Sequence, residues 1–225
     1  MGHLTPAVSN HPTIGIVCGL TSEVRCAERA LGPLRDRAVI VASGASSARA
    51  ADQAADLLAD GVAALVSFGL AGALDPALKA GEVVKAGRVV GAAGTFGAGD
   101  RTVWGSDQVV AGPSQKAELY ARTGAVIVDM ESEAVAMAAL RAGLPFLVLR
   151  AVSDDAGTEL PDYLAEAVRP NGSPNLPAVL KGLMGKPSSL PTLIRLGRNT
   201  KRALTALDRA ARIELPALLR RLDVS

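Results

Sequence analysis

From Thr13 to Val152 the chain repeats one pattern: a short, almost wholly apolar run, then a longer stretch with helical spacing. Short runs that stay apolar instead of alternating belong to strands covered on both faces. The pattern predicts strands at Ile14–Cys18, Ala38–Ala42, Val62–Phe68, Glu82–Lys85, Arg88–Ala92, Ala125–Asp129 and Phe146–Val152. Helices are expected at Ser22–Leu31 with Ser22 as its cap, Ser46–Asp60, Ser114–Arg122 and Glu131–Ala142. Within Ser46–Asp60, Ala50, Ala54, Leu57 and Leu58 share one face. Such alternation makes an α/β protein, a three-layer αβα sandwich around a central mixed, largely parallel sheet. At 225 residues and 49% hydrophobic, a single domain over 13–225 has material for a sizeable core. Residues 1–12, with Pro6, Ser9, Asn10 and Pro12, read as a loose tail.

After Val152 prolines accumulate at 161, 170, 174, 177, 187 and 191, so short, punctuated helices are expected there. A basic, leucine-rich amphipathic stretch follows from Thr192 to Leu222, which Pro216 should break in two. Residues 158–225 thus form a helical basic C-terminal region of the domain. Its cations suit a solvated face packed on the domain or on a second subunit. The sharper alternative is a segment held at an anionic membrane surface.

The charge balance excludes several classes. A net charge of +2 and 3% aromatics give no footprint for nucleic acid. The longest uncharged stretch, Gly61–Leu74, is too short to span a bilayer as a helix. Both histidines, His3 and His11, precede the first strand, which removes histidine bases and histidine-ligated zinc from the body of the chain. Cys18 and Cys26 read as reduced thiols of a cytoplasmic protein. Catalysis, if present, falls to carboxylates, hydroxyls, amides, Arg and Lys, with no metal and no cofactor expected.

Ligands of open α/β sheets bind beyond the carboxyl ends of the strands. Those ends carry Gly19-Leu20-Thr21-Ser22-Glu23, Gly69-Leu70-Ala71-Gly72, Asp129-Met130-Glu131-Ser132 and Ser153-Asp154-Asp155. Three of the four hold an acid and one offers glycines. Each acid also has an ordinary explanation: Glu131 and Glu23 begin helices, where the dipole favours carboxylates, and Asp154 suits a turn cap. Their joint position at strand ends argues for a site, but spacing alone leaves the reaction open.

Ile14-Gly15-Ile16-Val17 with Glu23-Val24, Gly69-Leu70-Ala71-Gly72, Val128-Asp129-Met130-Glu131 and Arg150-Ala151-Val152-Ser153-Asp154 occur in that order over residues 13–157. This series resembles the nucleoside phosphorylase and nucleosidase superfamily, most of all its hopanoid-associated branch. The resemblance implies cleavage of the N-glycosidic bond of a purine nucleoside. Asp154 would protonate the base, oriented by Ser153, and Glu131 with Met130 would hold the ribose. Glu23 matches the acid that activates water in hydrolytic members. Val109 and Val110 would lie on the base side. Gly19, Ser47, Arg49, Leu70, Ala71 and Gly72 would form the nucleophile side.

Departures from the superfamily pattern shape the expectations. Ser67-Phe68-Gly69-Leu70 lacks the arginine and serine of the usual phosphate loop, so Arg25 or Arg49 would have to bind phosphate beside Gly44-Ala45-Ser46-Ser47. The glycine-rich segment Gly91–Trp104 is expected to open the pocket, with Phe68, Phe96 and Trp104 as candidate lining. An open apolar mouth suits a lipid-linked nucleoside such as adenosylhopane. Three functions are therefore carried forward. The first is phosphorolysis of an adenosylhopane-like nucleoside, with inorganic phosphate as co-substrate and adenine released in hopanoid biosynthesis. The second is hydrolysis of methylthioadenosine or adenosylhomocysteine. The third is nucleoside binding without catalysis. A homo-oligomer, commonly a dimer in the superfamily, is expected, and a cytoplasmic location, peripheral at the inner membrane face if the C-terminal region binds lipid.

Overall fold

The computed structural model describes residues 11–224, so most of the tail expected over 1–12, His3 included, lies outside the described residues. Strand β1 (Ile14–Cys18) leads through α1 (Thr21–Leu31) to β2 (Ala38–Ala42), then α2 (Ser47–Ala59) to β3 (Ala64–Ala73). The three strands are parallel, in the order β2-β1-β3. Every residue of β1 is buried, as an unbroken apolar run requires. Next come β4 (Val83–Ala86), β5 (Arg88–Gly91), β6 (Gly94–Gly97) and β7 (Thr102–Gly105). The chain continues with α3 (Pro113–Thr123), β8 (Ile127–Asp129), α4 (Ser132–Arg141), β9 (Phe146–Asp154), α5 (Leu176–Gly185) and α6 (Leu190–Leu222). Helices α1 and α6 cover one face of the sheet, and α2 with α4 the other. The expected three layers and mixed sheet are what the chain forms.

Strand β3 organises the molecule. One edge pairs with parallel β9 from Leu65 to Gly72. The other edge is shared: β1 runs beside Ala64–Phe68, and antiparallel β8 takes over at Gly72 and Ala73. The carboxyl ends of β1 and β8 therefore approach each other head-on, leaving Gly69–Ala71 between them without a strand partner on that edge. The stretch Gly69–Gly72, expected as a loop, is strand; pairing with β9 extends it past the point where the glycines alone suggest a turn.

Other expectations need correction. Helix α1 begins at Thr21, and Ser22 does not cap it: the Leu20 amide is met by the carboxylate of Glu23 at 2.9 Å. The glycine-rich segment 91–104 lines neither of the two hollows described, which lie along α6. It supplies β6 and β7, and Gly105 packs so closely on α4 that an added Cβ would lie 2.4 Å from the Cβ of Glu133. Phe68 is fully buried in the core beneath α1 and α6, and Phe96 packs on the core near β5 and β7. Trp104 packs beside Leu74 and Val128, with the Arg122 guanidinium 5.7 Å from its ring. Pro216 does not break the terminal helix. α6 runs unbroken for 33 residues, because Ala203, Leu207, Ala211, Leu215, Leu218 and Leu219 are held against the domain on both sides of the proline. Tertiary packing there outweighs the intrinsic cost of a proline.

The C-terminal half of α6 is thus core, while α5 has no buried residue. Leu207→Ala should cost about 2–5 kcal/mol in urea unfolding. Leu180→Ala, on exposed α5, should stay within about 0.5 kcal/mol. Equal losses at both positions would contradict this division.

Candidate active site

The gap between the ends of β1 and β8 is filled by acids. Glu23, in the first turn of α1, turns its side chain back toward the strands. Its Oε2 accepts the amides of Gly19 at 2.8 Å and Leu20 at 2.9 Å, and its Oε1 accepts the amide of Leu70 at 2.8 Å. That last donor is available because Leu70 lies where β3 has lost β1 and not yet met β8. Gly69 must be glycine here: its φ is +155°, and a Cβ would sit 2.5 Å from the Glu23 carboxylate.

Glu131 approaches from the end of β8. Its Oε1 accepts from Ser43 at 3.0 Å, and the same oxygen lies 3.0 Å from where a Cβ on Gly19 would be. Its Oε2 meets Arg150 Nη2 at 3.0 Å. Arg150, in the middle of β9 and 1% exposed, is the hub of the cluster. Its Nη2 also donates to Ser67 at 2.6 Å and its Nη1 to the Leu70 carbonyl at 3.3 Å. Its Nε lies 2.9 Å from Asp129 Oδ2, an ion-pair distance without the alignment of a hydrogen bond. Asp129 in turn accepts the amides of Glu131 and Ser132 and the Ser132 hydroxyl, fixing the turn into α4.

Two carboxylates thus contact one buried guanidinium while Glu23 lies within its field, and the balance shows in the titration of the acids. Burial pushes Glu23 from 4.5 to about 7; Arg150 and the amides pull it down, and Glu131 pushes it further up. Burial also raises Glu131, against the pull of Arg150, with Asp129 adding to the rise. The Arg150 guanidinium is held charged by Asp129, Glu131 and Glu23 despite its burial. Burial raises the thiol of Cys18 as well, and pushes Cys26 up to about 11, so neither is a ready nucleophile.

Asp154 closes the other side of β3, in register with Gly72. A bulge at that point sets its carboxylate 3.1 Å from the position a Gly72 Cβ would take. Lys116 of α3, fully buried, donates to Asp154 Oδ2 at 2.6 Å and to the carbonyls of Asp155 at 3.2 Å and Thr158 at 3.1 Å. Ser153 Oγ lies 2.8 Å from Asp154 Oδ1 and 3.2 Å from the Ala71 carbonyl.

The remaining expected residues divide. Met130 is half-buried beside Glu131. Gly19 and Leu70 supply amides, but to Glu23, and Ala71 and Gly72 lie within β3. Arg49 spends its guanidinium on the carbonyls of Ser43 at 2.5 Å and Gly44 at 2.9 Å. Ser47 opens α2, whose cap is Ser46, and Arg25 is exposed on α1. Val110 packs with Leu74 and Val128, and Val109 is exposed. Sequence reasoning assigned no role to Arg150, although a cation within a buried apolar run signals partners. Lys116 gave no signal, since its helix reads as a solvated one.

The acids are enclosed: Glu23, Glu131 and Asp154 are 2%, 3% and 5% exposed. A hairpin closed by the bridge between Val168 and Pro174 lies over the ends of β1 and β2. Thr21 donates its amide to the Gly172 carbonyl at 2.9 Å, and the position of a Gly44 Cβ falls 2.5 Å from the Pro170 carbonyl oxygen. The two hollows described, about 460 and 490 Å³, lie along α6 and not beside the acids. Among the described residues no His, Cys, Asp and Glu are grouped to hold a metal, and no helix is long and apolar enough to cross a membrane.

Known proteins share this architecture. The model of the phosphorylase superfamily matches residues 98–184, less than half of the chain. Futalosine hydrolase of Helicobacter pylori superposes with a TM-score of 0.66 at 16% identity, over 91% of this chain and 98% of that one. The 5′-methylthioadenosine/S-adenosylhomocysteine nucleosidase of Helicobacter pylori gives 0.68 at 16% identity, over 95% and 100% of the two chains. S-adenosylhomocysteine nucleosidase of Streptococcus pyogenes gives 0.61 at 19%, over 92% and 98%. At such identities the likeness establishes the fold. No curated protein sequence matches the chain.

Two outcomes test the site's electrostatics. Lys116→Met leaves the Asp154 carboxylate buried without its cation and should cost about 3–5 kcal/mol in denaturant unfolding. Adding Asp154→Asn should recover most of that loss; an additive pair of effects would refute the coupling. Glu23 binds its proton more tightly folded than unfolded. Its contribution to stability is therefore complete below 4.5, its ordinary value, and is lost as pH rises through about 7. Glu23→Gln should flatten the melting temperature across that window, and an unchanged slope would contradict the assignment.

Proposed function

We propose that the protein hydrolyses the N-glycosidic bond of a purine nucleoside, with water as the nucleophile. One observation carries the choice of water: the Glu23 carboxylate occupies the three amides of Gly19, Leu20 and Leu70, the donors that an anionic co-substrate would use. Glu131 lies beside it, so a phosphate dianion would meet two carboxylates and a guanidinium already engaged by Glu131 and Asp129. A neutral water meets no such barrier, and the same negative field favours the oxocarbenium charge that develops on the sugar. The solved structures that share the fold include a futalosine hydrolase and nucleosidases, which agrees with this reading.

In this reading Glu23, poised near neutrality, takes the proton from water as it attacks C1′. Glu131, held by Ser43 and Arg150, accepts hydrogen bonds from the ribose hydroxyls, and Met130 packs against the sugar. Asp154, oriented by Ser153, delivers a proton to the departing purine, and the ammonium of Lys116 stabilises the carboxylate left behind. The hairpin Val168–Pro174 must lift for substrate to enter. Phosphorolysis of a lipid-linked adenosine would additionally require phosphate to displace Glu23 from its amides.

Purified protein should release adenine from 5′-methylthioadenosine in phosphate-free buffer, with a rate rising through pH of about 7. Asp154→Asn and Glu23→Gln should each lower turnover by about 10²–10⁴. Release that appears only on adding phosphate would assign phosphorolysis instead, and saturable nucleoside binding without turnover would assign a binding protein.

A further inference from the structure

We infer that α5 and the N-terminal third of α6 form a docking face for an anionic lipid surface. The observation is a conjunction of charge and exposure in one segment. From Ala167 to Leu207 the chain has no Asp or Glu and seven cations: Arg169, Lys181, Lys186, Arg195, Arg198, Lys201 and Arg202. None of the seven forms an ion pair with a described residue.

The apolar residues of this segment are left uncovered. Leu176, Leu180 and Met184 follow at helical spacing along α5 and are 64%, 60% and 82% exposed. Leu190 and Ile194, one turn apart at the start of α6, are 47% and 49% exposed. The same row of α6 continues as Arg198 and Arg202, so the helix surface passes from apolar to basic along its length. Arg198, Lys201, Arg202 and Arg209 then line the hollow of about 490 Å³, with the Arg202 stem laid over Gly81. Unpaired cations beside exposed leucines and methionine are what an interfacial helix presents: the apolar row enters the acyl boundary and the cations meet phosphate headgroups.

Charge complementarity chooses between occupants. A second copy docked through this face would set two segments carrying seven cations and no acid against each other. An anionic bilayer satisfies cations and apolar residues together. The expectation of a membrane contact through the whole C-terminal region is thereby relocated. Beyond Ala203 one face of α6 is packed into the core, and the membrane-facing part of the region lies in 176–202.

Sedimentation of the full chain with vesicles tests this. It should pellet with phosphatidylcholine–phosphatidylglycerol vesicles and not with phosphatidylcholine alone, and the binding should weaken as salt is raised. Lys181→Gln and Lys186→Gln should each lower the partition coefficient about fivefold. Leu180→Gln with Met184→Gln should lower it by more than about tenfold. All four positions are exposed, so melting temperatures should be unchanged. Binding to neither vesicle, equal binding to both, or unaltered binding by the variants would overturn the inference. A dimer in light scattering that Met184→Gln dissociates would overturn it in favour of a second copy.

Discussion

The candidate site depends on burying Arg150. A guanidinium in the middle of a fully covered strand is tolerable only if its charge and donors are met on every side, and they are met by β3, by β8 and by the turn into α4. This one side chain of β9 ties β3 to the end of β8 and its turn into α4, segments that lie far apart in the sequence. It also fixes the geometry of Glu131, because one carboxylate oxygen is held by Arg150 and the other by Ser43. Replacing the arginine with a hydrocarbon would strand Asp129 and Glu131 as buried charges without a cation.

The sheet makes this arrangement possible. Because β8 enters antiparallel where β1 ends, two helix N-termini, those of α1 and α4, converge on one gap in the edge of β3. Helix N-termini and free strand amides favour anions. In this chain the anion is supplied internally by Glu23, so the site is already satisfied and on balance negative. An enclosed, electronegative cluster whose amides are already taken favours a cation beside it over a second anion. On the far side of β3 the Lys116–Asp154 pair forms a separate unit, neutral as a whole and held to the turn over Asp155–Thr158.

The helix α6 divides the C-terminal region into two environments. One face of its second half is packed into the core, while α5 and the first turns of α6 carry leucines, methionine and lysines that the domain leaves uncovered. Pro216 sits in the packed half without interrupting it. Only Asn175 separates the hairpin that encloses the acids from α5, so the exposed segment and the cover over the site are continuous in the chain.

Much of this was legible in the linear pattern. Apolar runs located β1, β2, β8 and β9, and the acids at their ends were recognised as a group, since hydrophobic periodicity and strand polarity are local properties. The strands of the glycine-rich segment were missed because β6 and β7 have few apolar residues and gain their order from pairing. The cap of α1 was misplaced because Glu23, not Ser22, reaches the free amide. Composition and spacing thus determined the layered α/β fold and which strand ends carry acids. Only the tertiary structure decided that Glu23 fills the amides once assigned to phosphate, that Lys116 holds Asp154 and that Arg150 binds the cluster. Those contacts join residues as far as 83 positions apart. They are set by where β3 changes partners, and no local sequence signal encodes that.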